Sequence, residues 1–237
     1  GILNLLHKID KKKSAGPDGI PNEFLYRYAV WVSKYLTIIF QSSVSSGCFP
    51  TAWKVGKVIP IHKGGNTSDC KNFRPISLTS TCSKILAHIV SKHLLAYLDV
   101  HNLLYSQQHG FRKGLSTITQ LVELVHVNLT LRVNFRGEIM ILLDFAKSFD
   151  KVSHTKLLLN INTIFKNPNL TQWFSSYFSN RKQYVQVSNE KICPCQCYFW
   201  SSPRQCLGPT TCFDFVNDLP KDITVPIRFF CRRLCNV

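Results

Sequence analysis

The sequence predicts an α+β fold, and three observations carry that expectation. Apolar residues recur at helical spacing over several long stretches. Between them lie short runs rich in branched side chains, of strand length rather than helix length. One of those runs, Ile139 to Leu143, is unbroken by polar residues and stops at Asp144. A run of that kind reads as a strand buried on both faces, which requires helices or loops packed on each side of it.

The elements follow in order. Lys11-Lys-Lys-Ser-Ala-Gly-Pro-Asp-Gly-Ile-Pro21 is a loop, since Gly16, Pro17, Asp18, Gly19 and Pro21 fix several dihedrals. Backbone amides at its glycines, with Lys13 and its neighbours before them, suit phosphates; a basic surface linker is the competing reading. A helix starts near Pro21 or Asn22 with Glu23 in its first turn. Its apolar stripe is Phe24, Leu25, Tyr28, Val32, Tyr35, Leu36 and Ile39, expected in the core, and Gly47 ends it.

Val55 to His62 reads as a strand, edge or bulged because of Pro60. Lys63-Gly-Gly65 turns the chain, and Asn72-Phe-Arg-Pro-Ile-Ser-Leu78 is extended, Arg74 being held so by the proline after it. Ser83 to Val100 is an amphipathic helix with Ile85, Leu86, Ile89, Val90, Leu94, Tyr97 and Leu98 facing the core. Gln107 to Thr117 is a loop holding Arg112 and Lys113, and Ser116 or Thr117 caps a helix running to about Arg132. After the strand at 139–143, Ser153 caps a helix through Leu157, Leu158, Ile161 and Ile164. A shorter helix spans Leu170 to Phe178, and a hairpin turns across Asn189-Glu190. Leu207-Gly-Pro opens another helix, and Ile227 to Phe230 is a last strand.

Composition narrows the function. The 237 residues carry 29 Lys+Arg against 13 Asp+Glu, a net charge of +16. Such a chain favours a polyanion, nucleic acid first and an anionic membrane surface second. No apolar run approaches the roughly 18 residues of a membrane span, and no secretory signal follows the early lysines, so a membrane protein or a secreted one is not expected. Seven of the ten cysteines fall in the last 45 residues. Without a signal peptide a disulfide framework is not expected, and the Cys-x-Cys-x-Cys spacing from Cys193 to Cys197 is not that of a zinc site.

A carboxylate at the end of a rigid buried strand is a good place to hold a metal ion, and Mg²⁺ prefers such oxygens while keeping waters that phosphates replace. Asp144 stands there, with Phe149 on the turn beyond it. The competing reading is a core strand followed by a solvated turn, since Asp is common turn chemistry. Lys63 and Arg74 flank one loop and could both reach a phosphate chain, Arg by a bidentate fork and Lys as a point charge; as exposed bases in a basic protein they could equally do nothing specific.

Taken together the motifs resemble the reverse transcriptase domain of non-LTR (LINE-type) retrotransposons, over essentially the whole chain. Lys13-Ser-Ala-Gly-Pro-Asp-Gly-Ile-Pro21, Pro60-Ile-His-Lys-Gly-Gly65, Asn72-Phe-Arg-Pro-Ile-Ser-Leu78 and Gln107-Gln-His-Gly-Phe-Arg-Lys-Gly-Leu-Ser-Thr117 look like four of its boxes. Leu143-Asp-Phe-Ala-Lys-Ser-Phe-Asp-Lys-Val-Ser-His154 is similar to its first catalytic palm box, and Asn217-Asp-Leu-Pro220 to a sixth. The wording fits this group better than telomerase or group II intron enzymes.

The resemblance implies a right-hand polymerase, with fingers over residues 1–135 and palm over 136–237, truncated with no thumb after Val237. It implies DNA synthesis on an RNA template from a DNA primer and deoxynucleoside triphosphates. Asp144, helped by the Phe145 carbonyl, would bind two Mg²⁺ ions. Phe149 would stack under the incoming sugar and reject a ribose 2′-OH. Lys63 and Arg74 would contact the triphosphate, and Lys13, Arg112 and Lys113 the nucleic acid. The chain would work in nucleus or cytoplasm.

Two departures stand against activity. Two dications about 3.5–4 Å apart repel strongly and need several carboxylates. The family supplies the others from a Phe-Ala-Asp-Asp box on the last strand, where this chain reads Phe230-Cys-Arg-Arg-Leu-Cys235. Arg232 and Arg233 would repel Mg²⁺. Their codons can be written TTT TGC CGA CGA TTG TGT, which one nucleotide later contains TTT GCC GAC GAT TGT, or Phe-Ala-Asp-Asp-Cys. A frameshift in a decaying copy is therefore expected. The preceding box is also altered, Pro203-Arg-Gln-Cys-Leu-Gly-Pro209 being one residue short and lacking its first glycine. The expected chain is a partial copy that does not polymerise, and the alternative is a non-catalytic basic nucleic-acid-binding remnant.

Overall fold

A computed structural model describes residues 1–110, 112, 114–133, 152–187 and 190–196. Its helices are α1 (Ile2–Leu6), α2 (Asn22–Arg27), α3 (Ala29–Ser45), α4 (Thr81–Val100), α5 (Thr117–Val133), α6 (His154–Phe165) and α7 (Pro168–Phe178). Its strands are β1 (Val55–His62), β2 (Phe73–Leu78), β3 (Lys182–Val187) and β4 (Glu190–Gln196). The mixture of helices with one sheet agrees with the α+β expectation.

The helix starts are chemical. Ser80 accepts the Ser83 N–H above α4, Ser153 accepts the Lys156 N–H above α6, and Asn167 accepts the Leu170 N–H above α7, where Pro168 takes the first turn. Gly47, at φ +65°, ends α3 in the left-handed conformation that glycine adopts without strain.

The single helix expected from Asn22 onward is two. The backbone at Tyr28 (φ −101°, ψ 24°) leaves helical geometry and resets the axis between α2 and α3. The expected core stripe is half right. Leu25, Val32 and Leu36 are buried together with Ala29 and Phe40, whereas Phe24, Tyr28, Tyr35 and Ile39 are exposed. This segment is apolar on two faces, so periodicity alone does not choose between them. Similarly, Tyr97 of α4 and Leu121, Val125 and Leu129 of α5 carry exposed surface.

One core joins the two ends of the described chain. Leu25, Val32, Leu36 and Phe40 share it with Leu6, Leu86, Leu157, Trp173 and Phe174. Each such side chain contributes about 1.5–3 kcal/mol on burial. Helix α3 packs against α1, α2 and α7, and α7 against α6. Phe49, after α3, meets Trp173 and Tyr177 of α7 edge-on at 5.5 and 4.9 Å.

The sheet has the order β2-β1-β3-β4. β1 is antiparallel to β2 and parallel to β3, and β3 is antiparallel to β4. β3 covers only Val55 to Val58 of β1, so Pro60 lies where β1 has one neighbour, and its missing N–H leaves no gap in a three-strand ladder. The hairpin pairs Val187 with Glu190, so Glu190 belongs to the strand rather than to the turn expected across Asn189-Glu190. The sheet takes two strands from before residue 135 and two from after it.

A buried cationic pin joins α7 to β3. Arg181, 1% exposed, donates from Nε to the Tyr177 carbonyl at 2.6 Å, with its guanidinium 4.1 Å from the Tyr177 ring. Beside it, burial and then the Arg181 charge hold the Lys54 ammonium below its ordinary pKa.

Candidate nucleotide and nucleic-acid interface

The β1–β2 hairpin brings two of the expected site residues together. Ile61 pairs with Arg74, and the Lys63 N–H continues the ladder to the Asn72 carbonyl at 2.8 Å. Strand side chains alternate faces, so Lys63, Ile61 and Arg74 share one face, with Lys63 and Arg74 as diagonal neighbours. Both are exposed. Lys63 Nζ donates to the Lys71 carbonyl at 3.0 Å, which leaves two of its three protons for a ligand.

The loop between the strands is held by its own polar groups. Asn72 Nδ2 donates to the Asn66 carbonyl at 2.9 Å, and Asn66 Oδ1 accepts the Ser68 N–H. Gly65, at φ +86°, runs so close to Asn72 that a Cβ there would lie 2.9 Å from its amide. The one carboxylate of this loop, Asp69, accepts the Lys71 N–H at 2.9 Å. The tip is thus a firm, cationic corner.

The Gly-Pro-Asp-Gly-Ile-Pro loop has a packing role. A Cβ on Gly16 would meet the Thr79 carbonyl at 2.7 Å and the Ser80 nitrogen at 2.8 Å, so the loop seats backbone on backbone against the start of α4. Asn22, buried, clamps this junction: its amide donates to the Asp10 carbonyl at 2.9 Å and its oxygen accepts the Thr81 hydroxyl at 2.7 Å. Lys13 stays exposed at its rim, while Lys11 Nζ sits 3.9 Å from the Tyr26 ring centre.

Arg112 reaches back to α4. Nη2 pairs with Asp99 at 3.1 Å and Nη1 donates to the Tyr105 carbonyl at 3.4 Å, so part of its fork holds its own loop. Nearby His109, buried, contacts Thr119 Oγ1 at 3.0 Å and Glu123 Oε1 at 3.4 Å, tying the same loop to α5. Ser116 caps α5 by accepting the Thr119 N–H at 3.2 Å.

The register shows residues that motif reading missed. Lys57 pairs with Tyr184 across the parallel β1–β3 boundary, and Lys191 Nζ lies 5.5 Å from the Tyr184 ring. Alternation within each strand was visible beforehand; the β1–β3 pairing was not.

Asp144, Phe145, Phe149, Lys113, Arg232 and Arg233 lie outside the described residues. Among the described residues no cluster of three or more His, Cys, Asp or Glu could hold a metal ion. Among the described residues no helix is long and apolar enough to cross a membrane.

Comparison with known proteins places the chain in a family. Residues 61–231 match the family described as "Reverse transcriptase (RNA-dependent DNA polymerase)". Over 220 residues the chain is 31% identical to the "RNA-directed DNA polymerase from mobile element jockey" of Drosophila melanogaster, covering 92% of this chain and 24% of that protein. It is 28% identical over 220 residues to the "Probable RNA-directed DNA polymerase from transposon BS" of the same species, again 92% and 24%. A type-1 retrotransposable element R2 polyprotein of Popillia japonica is 22% identical over 187 residues, or 77% of this chain and 25% of that one. The chain spans about a quarter of the length of these curated relatives.

Proposed function

Since the chain belongs to the reverse transcriptase (RNA-dependent DNA polymerase) family, as a domain of the non-LTR, LINE-type kind, we propose that it is the nucleotide- and template-holding part of an RNA-directed DNA polymerase, in a copy that does not itself extend a primer. The observation that supports the first half is the shared face of Lys63 and Arg74 on a firm hairpin tip. An exposed fork and a point charge on one face suit the oxygens of a deoxynucleoside triphosphate. On this reading residues 1–135 supply fingers and 136–237 palm, with the β3–β4 hairpin returning to the fingers sheet. Lys13, Lys113 and the remaining donors of Arg112 meet phosphates of the RNA template and DNA primer.

Asp144 is the residue that would hold Mg²⁺, with the Phe145 carbonyl beside it, and Phe149 would bar a ribose 2′-OH. Bound Mg²⁺ in such a site activates the primer hydroxyl and neutralises the leaving pyrophosphate. With Arg232 and Arg233 in place of carboxylates, this chain lacks the ligands for that chemistry. It would hold nucleotide and RNA without joining them.

Two measurements on the purified chain test this reading. Titration with a fluorescent deoxyadenosine triphosphate analogue should show binding that Lys63→Ala and Arg74→Ala each weaken about 10- to 150-fold, in line with the roughly 1.5–3 kcal/mol of a hydrogen bond to a charged group. Native affinity in both variants would remove the triphosphate role. Incubation with a primed RNA template, Mg²⁺ and deoxynucleoside triphosphates should give no extension, and any extended product would overturn the inactivity.

The net charge of +16 supports a second reading, a basic remnant that binds nucleic acid and has no nucleotide site. That remnant would tolerate Lys63→Ala and Arg74→Ala in the nucleotide titration because it would show no binding to lose.

A further inference from the structure

Helices α2 and α3 carry two apolar stripes. Leu25, Ala29, Val32, Leu36 and Phe40 form the buried one. The other runs through Phe24, Tyr28, Trp31, Tyr35 and Ile38, which are between 43% and 65% exposed. Its steps of four, three, four and three residues are those of a coiled-coil seam, a narrow stripe that fits another helix. The seam is continuous across the break at Tyr28: the Phe24 and Tyr28 rings lie 4.9 Å apart, and those of Trp31 and Tyr35 4.6 Å. It is about 21 Å long at 1.5 Å per residue.

The charge of this segment is as unusual as its exposure, in a chain of net charge +16. From Ala29 to Ser46 the one charged residue is Lys34, and in α2 Glu23 and Arg27 pair with each other at 3.5 Å. A nucleic acid would find no row of cations here. A helix that lies on a membrane would carry lysines and arginines along its polar face. The cationic surface elsewhere repels a second copy of the chain, and this face is where a copy can approach without setting like charges together.

We propose that the seam is the interface of a two-fold dimer of this chain, the two copies of α2 and α3 lying antiparallel with Trp31 on the axis. Tyr28 of each copy then meets Tyr35 of the other, and Phe24 meets Ile38. Every apolar position of the seam faces another, and Lys34 comes level with Tyr28 of the other copy rather than with its own counterpart. Ser42 and Ser45, the next positions of the same frame, fall beyond the contact. Such a pairing is closed, as an isologous interface must be. At about 200 Å² per aromatic side chain, the four half-exposed rings alone offer roughly 400 Å² per copy. With Ile38, Ile39 and the rim, the pair buries about 1,000 Å², which places the dimer at the weak end of specific complexes. The dimer goes beyond the polymerase reading and does not depend on it.

The test is sedimentation equilibrium of the nuclease-treated 237-residue chain at micromolar concentrations, in about 0.15 M and about 1 M KCl. The native chain should approach twice its own mass, and more readily at the higher salt, where the screening length falls from roughly 8 to 3 Å and repulsion between copies fades. Trp31→Glu and Ile38→Lys should each weaken dimerisation about 30-fold or more, the loss of one interface hot spot. Val30→Glu, exposed on another side of α3, should dimerise like the native chain. Phe24→Lys and Ile38→Glu chains, mixed with one of them fluorescently labelled, should pair with each other better than either pairs with itself, because these two positions meet only between copies. All the changed side chains are exposed, and thermal melts establish that each variant is folded.

A chain that stays monomeric at both salts would overturn the dimer and leave the seam to a helix of a different protein. Dimers that Trp31→Glu and Ile38→Lys leave at native strength would overturn this interface, the contact then lying elsewhere. Self-association that disappears at the higher salt would be driven by charge and would also overturn it. None of these results bears on the nucleotide titration or the primer-extension assay, which alone decide the polymerase reading.

Discussion

Trp173 donates its indole N–H to the hydroxyl of Ser43 at 3.0 Å, in the buried contact between α7 and α3. The same hydroxyl donates to the Cys48 carbonyl at 2.7 Å. Ser43→Ala would strand both groups away from water. A buried donor or acceptor left unsatisfied costs about 1–3 kcal/mol, so the urea midpoint of the variant should fall accordingly. An unchanged midpoint would mean that water reaches the indole.

Gly16 is required for closeness rather than for an unusual dihedral. Its missing Cβ is the space into which Thr79 and Ser80 fit, and both obstructing atoms are backbone. Gly16→Ala should destabilise the chain by about 1–3 kcal/mol, the usual range for overpacking. Gly19→Ala makes a contrasting control, since nothing lies near its Cβ position and only its φ of +70° opposes the change.

Cys82 makes the alkaline side of the stability profile readable. Burial, and after it the Asp18 charge, push its thiol from the ordinary 9.0 up to about 11. A folded-state pKa above the unfolded one means that its contribution is complete below pH 9 and is lost as pH rises through 11. The effect is on the order of 2 kcal/mol. Urea midpoints measured from pH 8 to 11 should decline more steeply for the native chain than for Cys82→Ala, and parallel curves would rule the thiol out.

The Arg232-Arg233 pair has a nucleotide-level test. Sequencing the locus from the codon of Tyr184 to a few hundred bases past that of Val237 should show GCC GAC GAT in the adjacent frame across Phe230 to Cys235. Arginine codons with no shifted aspartates would make the change a substitution, and the binding remnant would then be the better reading.

What the sequence disclosed depended on how local the cause was. Ser80, Ser153 and Asn167 mark helix starts with their own side chains, and Gly47 marks a stop, so those boundaries fall within a few residues of expectation. β1 was read over its full length because a turn punctuates its end. The face of α3 was not legible, since Val32 and Tyr35 are both plausible core residues until α1 and α7 choose between them. Arg112 looked like a free cation because Asp99 is its partner only after α4 and the following loop fold back together. Lys57 and Tyr184 share no motif, and only the register of two distant strands joins them. Asp144 and Phe149, the most chemically telling residues of the sequence, fall outside the described residues.

The parallel pairing of β1 with β3 also governs how the molecule is made. Its partners, Val55 with Lys182 through Val58 with Val185, are separated by well over a hundred residues. The β1–β2 hairpin can form as soon as both strands leave the ribosome, but one margin of β1 then stays open until β3 is synthesised. Contacts of such high order close slowly, and an open strand margin pairs readily with other chains. Ribosome stalling or proteolysis anywhere between residues 79 and 181 would therefore release an aggregation-prone piece, and chaperone demand should peak over that window of translation.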